Sequence, residues 1–188
     1  MIVALKNDGC SILLGVPTGW RNLERDSLST PVVHEVLKLA DVISPWTIGR
    51  YRSPDGLAKH AEEFWKPDHE WTKKREIDYL PVVFPGFSWK NLKGGDEKLG
   101  AIPRLKGEFL WSQFVAAKQA GAEMIYVAMF DEVDEGTAIF KCTNDPPVGE
   151  GVSFLTYEGL PSDHYLKLTA KGAKLLRGEL PLPQRESR

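Results

Sequence analysis

Four carboxylates crowd into five positions at Asp131, Glu132, Asp134 and Glu135, inside the stretch VAMFDEVDEGTAIF that runs from Val127 to Phe140. Carboxyl groups set this close do not ionise with equal ease; burial and mutual repulsion spread their pKa values apart. A pair separated in that way can divide acid and base work. Glycosidic cleavage through an oxocarbenium-like transition state needs that division: one group protonates the leaving oxygen while a second acts as base or nucleophile. Glu132 and Glu135 are the candidate pair. Two plainer readings stand beside this one, a solvated acidic loop and a hard-cation site. The spacing lacks the alternating ligands and the closing Glu of a helix-loop-helix calcium loop, and no metal is expected.

The acids follow directly on the apolar run Met124 to Phe130, which reads as a buried strand. Three earlier runs have the same character, and strands are expected near residues 11–16, 41–46, 79–84 and 123–130, with a weaker fifth in SFLTYEG. Segments of helical period alternate with them. Thr30 and Pro31 open the first with a capping signal that Ser53 and Pro54 repeat in the second, where Pro67 should kink or split the helix. Phe109, Leu110, Phe114, Val115 and Ala117 share one face of a third helix that Gly121 stops, and DHYLKLTAKGAKLL forms a fourth.

Strands that are apolar on both faces and alternate with helices make an α/β fold with a parallel sheet. Of the two architectures this allows, an open doubly wound sheet or part of a (β/α)8 barrel, the strand ends favour the barrel. Each strand leads into residues suited to a site, and barrels collect such residues at their C-terminal rim. Thr18, Trp20 and Arg21 follow the first strand, Trp46, Arg50 and Tyr51 the second, Phe87, Ser88 and Trp89 the third, and the acids the fourth. Trp20, Trp46, Trp89 and Tyr51 have flat faces that can stack on a sugar ring; Trp65, Trp71 and Trp111 fall on helices and read as core packing. Arg21 and Arg50 could hold sugar hydroxyls or pair with the acids, whereas Arg104 reads as structural.

Other chemistries find little support. GVPTGW is one glycine short of a dinucleotide turn, so no nicotinamide cofactor is expected. His34, His60, His69 and His164 have no partner at ligand spacing, and no GxSxG elbow exists. Cys10 and Cys142 fit neither a disulfide framework nor a metal spacing. A formal charge of −2 with no basic stripe disfavours nucleic acid. No apolar run approaches the ~20 residues of a membrane span, and no signal peptide opens the chain, so location is left unassigned.

FDEVDEG resembles the NEWxEG motif that ends a late barrel strand in glycoside hydrolase family 99, the endo-α-mannosidases, and the wider family 71/99-like group. LGVPTGWR, DVISPWTIGRY, LPVVFPGFSW and IPRLKGEFLWSQF resemble a bacterial branch of that group often labelled xylosidase/arabinosidase. The resemblance implies a retaining glycosidase acting on an oligo- or polysaccharide, in which Glu135 is the general acid and Glu132 the base that deprotonates the sugar's own 2-hydroxyl. Where family 99 has Asn and Trp around the first Glu, this chain has Asp131 and Val133, which adds a charge and removes an aromatic wall. Asp131 joins the substrate-binding candidates.

The resemblance also implies that residues 1–188 form one partial barrel domain, about strands four to eight of the full fold. Such a half-barrel needs cover for its open face, assigned here to Val16, Ile43, Val83, Val127 and their neighbours, and a homodimer or higher oligomer is the expected cover. Three functions are consistent with these residues: a retaining glycosidase, a catalytically inactive carbohydrate-binding half-barrel, and a self-associating module without ligand.

Overall fold

The computed structural model describes residues 1–94, 97–147 and 149–183. It contains α1 (Ile2–Asn7), β1 (Leu13–Val16), α2 (Val32–Leu37), β2 (Val42–Pro45), α3 (Pro54–His60), α4 (Lys66–Lys73), β3 (Asp78–Tyr79), β4 (Val82–Val83), α5 (Lys90–Lys93), α6 (Glu108–Gln119), β5 (Tyr126–Val127) and α7 (His164–Leu176). All strand pairs are parallel, β1 with β2, β2 with β3, and β4 with β5.

β3 and β4 are two pieces of one expected strand. Pro81 has no N–H to give, and the chain changes partners beside it: Leu80 N–H donates to Ile43 on one side, and the Pro81 carbonyl accepts from Tyr126 N–H on the other. The result is a run of four parallel strand positions in chain order, β1, β2, β3/β4 and β5, with helices on one side. This is the parallel α/β architecture of a TIM-barrel fragment.

The helices form much as their sequence signals indicate. Ser53 Oγ accepts the Gly56 N–H at 3.1 Å, and Pro54 occupies the first helical position of α3. Thr30 makes no equivalent cap; α2 begins two residues later with Pro31 before it. Pro67 does not interrupt the helical run, which continues from Pro54 to Lys73. A π-helical turn, Ala61–Trp65, joins α3 to α4 and absorbs the proline just inside α4. Gly121 ends the α6 segment with a left-handed φ of 92°, and a Cβ there would sit 2.6 Å from the His69 ring. Gly172 on α7 lets that helix close on α6, since a Cβ would meet Phe114 at 2.3 Å.

Side-chain direction along the strands overturns the expected open face. Val16 and Ile43 pack with Trp20, Leu37, Ala40 and Ile77 beneath α2 and α4, and Val83 and Val127 belong to the larger core around Phe84, Phe109, Leu110 and Phe114. These four point at the helices, so they are already covered. Strand residues alternate between faces, and the concave side belongs to the other set, of which Leu13, Gly15 and Tyr126 are exposed while Ser44 and Val82 are buried; with Leu80, Trp46, Asp26 and the end of β1 at Val16 and Pro17 they line a depression of about 500 Å³.

The weaker run SFLTYEG forms no strand. Side chains meet the backbone at two of its positions instead: Asn91 donates to the Ser153 carbonyl and accepts its N–H, and Asn144 accepts the Tyr157 N–H at 2.9 Å. No described helix is long and apolar enough to cross a membrane.

Candidate active site

The acids sit on a hairpin that grows from the end of β5. Phe130 carbonyl accepts the N–H groups of Ile139 and Phe140, and the Glu132 carbonyl accepts those of Thr137 and Ala138, which closes the loop across its base. Gly136 takes φ 68° at the bend, and a Cβ there would collide with Leu155 at 2.4 Å. FDEVDEG is therefore an ordered turn.

Glu132 and Glu135 have different surroundings within it. The Glu132 carboxylate turns back on its own loop, accepting the Asp134 N–H at 2.9 Å and the Glu135 N–H at 3.4 Å. Glu135 is half-buried, and its carboxyl is held above the ordinary range, first by burial and then by the charges of Glu132 and Asp134. One carboxylate is thus oriented by backbone donors while its neighbour is biased toward keeping a proton. Asp131 and Asp134 are exposed. Asp134 accepts from Asn91 Nδ2 at 3.0 Å, which fixes that side of the loop to α5.

Arg104 holds the hairpin from beneath. Only 3% exposed, it donates from Nη2 to the carbonyls of Gly136 at 2.8 Å and Ala138 at 2.9 Å. Its guanidinium lies over the rings of Tyr157 and Tyr165, 4.9 and 4.5 Å from their centroids. The Tyr157 hydroxyl adds bonds to the carbonyls of Ala138 and Phe140. The structural reading of Arg104 agrees with this placement. Arg104→Met should leave the Gly136 carbonyl buried without a donor and the Ala138 carbonyl with the Tyr157 hydroxyl alone, and cost about 1–3 kcal/mol of stability. Urea denaturation checks it; a loss below about 0.5 kcal/mol would show that the hairpin does not depend on this side chain.

The loops after all four strand positions meet at one rim. Thr18 Oγ1 donates to the Trp46 carbonyl at 2.8 Å, Thr47 Oγ1 to the Val82 carbonyl at 2.6 Å, and Ser88 N–H to the Glu135 carbonyl at 2.7 Å. Gly49 lies against Trp89, where a Cβ would be 3.7 Å from the indole. Arg50 pairs with Asp26 across the first two loops. Against the opposing pull of partial burial, the Gly19 N–H and the Arg50 charge hold the Asp26 carboxyl below its ordinary range. Trp46 is exposed on the concave side. Trp89 is half-buried, with its ring 4.4 Å from Phe87 and under the Lys93 ammonium.

Three other expected site residues face elsewhere. Trp20 is fully buried and packs edge-on against Trp71 at 4.9 Å, on the helix side of the sheet. Tyr51 is also buried, its hydroxyl donating to Gln113 Oε1 at 2.8 Å and its ring lodged among His60, Trp65, Phe84 and Phe109. Neither ring is open to a sugar. Arg21 is committed to Asp68 at 2.7 Å, to Asn22 and to the Glu63 carbonyl. Its position after β1 suggested the rim, yet the chain doubles back behind the sheet.

Sequence reasoning passed over Asn91, Asp26 and Gln113, which position the site. Gln113 is fully buried and clamps the end of β4 by accepting the Phe84 N–H and donating to the Phe84 carbonyl. A glutamine on the otherwise apolar face of α6 was its one available signal. Among the described residues no group of three or more His, Cys, Asp and Glu is arranged to hold a metal ion.

No family model matches the sequence, and no curated protein matches it. Solved structures do. The endo-α-mannosidase of glycoside hydrolase family 99 from Bacteroides thetaiotaomicron, in complex with bis-tris-propane, aligns with a TM-score of 0.61 at 22% identity, covering 75% of this chain and 42% of that one. A second structure of that enzyme gives a TM-score of 0.58 at 22% identity over 79% of this chain and 41% of its own. A glycoside hydrolase-like protein gives 0.55 at 16% identity over 86% and 43%. This chain therefore has the fold of part of a family 99-like glycosidase barrel and spans less than half the length of those structures.

Proposed function

We propose that this chain carries the acid-base half of a retaining glycoside hydrolase site. The observation that carries the reading is the unequal pair on the β5 hairpin: Glu135, half-buried with its carboxyl shifted toward the protonated form, and Glu132, oriented by two backbone N–H groups. Glu135 donates its proton to the glycosidic oxygen as the C1–O bond breaks. Glu132 removes the proton of the sugar's 2-hydroxyl, whose oxygen closes on C1 to give an anhydro sugar. Water then opens that ring from the face the leaving group vacated, giving one proton to Glu135 while Glu132 returns its proton to the 2-oxygen, and two inversions leave the anomeric configuration retained. No cofactor takes part.

Trp46 and Trp89 present the aromatic surface, and Arg50 and Asp131 the polar groups, for sugar binding at the rim. The family 99 fold favours an α-mannoside as the first substrate to try. Proton NMR of an aryl α-mannoside incubated with the chain should show a product released first as the α anomer, and Glu132→Gln should stop it. Binding of manno-oligosaccharide without turnover would favour the second reading, an inactive carbohydrate-binding half-barrel, for which the exposed Trp46 indole is the supporting observation. Neither binding nor turnover would remove both.

A further inference from the structure

One short segment, Ser88 to Asn91, grips the acid hairpin from the side. Ser88 N–H donates to the Glu135 carbonyl at 2.7 Å, and the Ser88 hydroxyl accepts the N–H groups of Lys90 and Gly100, both at 3.3 Å. Three residues on, Asn91 commits its whole side chain to two loops that lie 43 and 62 residues further along the chain. Its Oδ1 accepts the Ser153 N–H at 3.2 Å, so Nδ2 must face the acceptors. Nδ2 donates to the Ser153 carbonyl at 2.9 Å, to the Asp134 carboxylate at 3.0 Å and to the Asp134 carbonyl at 3.3 Å.

A donor facing a carboxylate favours its ionised form. The Asp134 N–H is meanwhile bonded to the Glu132 carboxylate at 2.9 Å, so backbone and side chain of Asp134 are both fixed beside Glu135. The charged groups around Glu135 come from three places. Glu132 and Asp134 share its hairpin, with Asp131 exposed at the start of it. Arg104 lies beneath, bonded to the next carbonyl along. Lys90 and Lys93 belong to α5, where Lys93 pairs with Glu97 at 3.7 Å and lies over the Trp89 ring.

We infer that Asn91 is a positioning residue for the acid Glu135, acting by holding the Asp134 carboxylate charged and beside it. The inference rests on the acid role proposed for Glu135 and adds what keeps that acid protonated. Burial raises the Glu135 carboxyl first, and the charges of Glu132 and Asp134 raise it further. Asp134 contributes only while it is ionised and close. Released from Asn91, its exposed side chain turns into water, where its charge is screened.

Carbon-13 NMR titration of the glutamate side-chain carboxyls in the intact chain tests it, with the Glu135 resonance identified by its loss in Glu135→Gln. Asp134→Asn keeps the shape of the tie and removes the charge. It should lower the proton affinity of Glu135 about two- to threefold, the Coulomb scale for neighbouring carboxylates in a water-like dielectric. Asn91→Ala should lower it in the same direction, and no further in the Asp134→Asn background, where there is no charge to release. The alkaline limb of kcat/KM should fall by the same factors; circular dichroism confirms that each variant is folded. An unchanged Glu135 titration in Asp134→Asn or in Asn91→Ala overturns the inference. So does an Asn91→Ala effect of equal size in both backgrounds, which would mean that the amide acts by ordering the Ser153 loop. The titrations need no substrate, so they decide the inference even in a chain without turnover, whereas absence of turnover bears on the catalytic reading alone.

Discussion

Replacing Glu135 by Gln should lower kcat/KM about 10³-fold for glycosides with poor leaving groups, such as a methyl glycoside or disaccharide, and less than about tenfold for a dinitrophenyl glycoside. An activated phenolate departs with little protonation, so it reveals whether the acid alone has been lost. The pH profile supplies a second readout. Burial, with Glu132 and Asp134 adding their charge, raises the Glu135 pKa, so the wild-type acid stays protonated further toward neutral pH than an ordinary Glu, and the alkaline limb that its ionisation produces should vanish in the variant. Stability should not fall. A carboxyl raised by the fold favours the folded state below its unfolded pKa and loses that contribution as pH rises through the folded value, so at neutral pH Gln removes an unfavourable ionisation. Equal losses on both substrate types would assign Glu135 a role in holding the hairpin.

The strand-and-helix alternation was readable because buried parallel strands leave continuous apolar runs and helices leave a 3.6-residue period. What those runs concealed was direction. VVF and YVA are apolar at every position, so nothing in them separates Val83, which meets the helices, from Val82, which lines the open side. The same limit explains Trp20 and Tyr51: strand-end placement identified them, but whether a loop residue points over the rim or folds behind the sheet depends on contacts with Trp71 and Gln113, which are 51 and 62 residues distant. The acid hairpin was the most legible part of the site because all its groups are local. Its supports, Arg104 and Asn91, reach it from 32 and 43 residues away, and no local pattern marks such a partner.

Arg21→Met should destabilise the fold by about 3–5 kcal/mol at pH 8, because it strips the partner from a buried carboxylate. Asp68 is 1% exposed and receives the Arg21 Nε–H at 2.7 Å. Arg21 also donates to the Glu63 carbonyl, the acceptor that an N–H at Pro67 would have met in an unbroken α-helix. One side chain therefore satisfies both the acid and a carbonyl that the proline leaves behind. Burial raises the Asp68 pKa to about 7 even against the lowering effect of Arg21. The sign follows: a raised carboxyl contributes stability below its unfolded pKa of 3.8, and that contribution is lost as pH rises through about 7. Without the guanidinium the folded pKa should move higher still. At pH 5 the variant can keep Asp68 protonated, and its deficit should shrink to about half the value at pH 8. Adding Asp68→Asn to Arg21→Met should recover stability at pH 8 and flatten the pH dependence, since an amide brings no charge to bury. Urea titrations of the wild type, Arg21→Met, Asp68→Asn and the double variant at both pH values measure this directly. A deficit equal at the two pH values, and unchanged by Asp68→Asn, would mean that Arg21 acts through the Glu63 carbonyl and its packing alone.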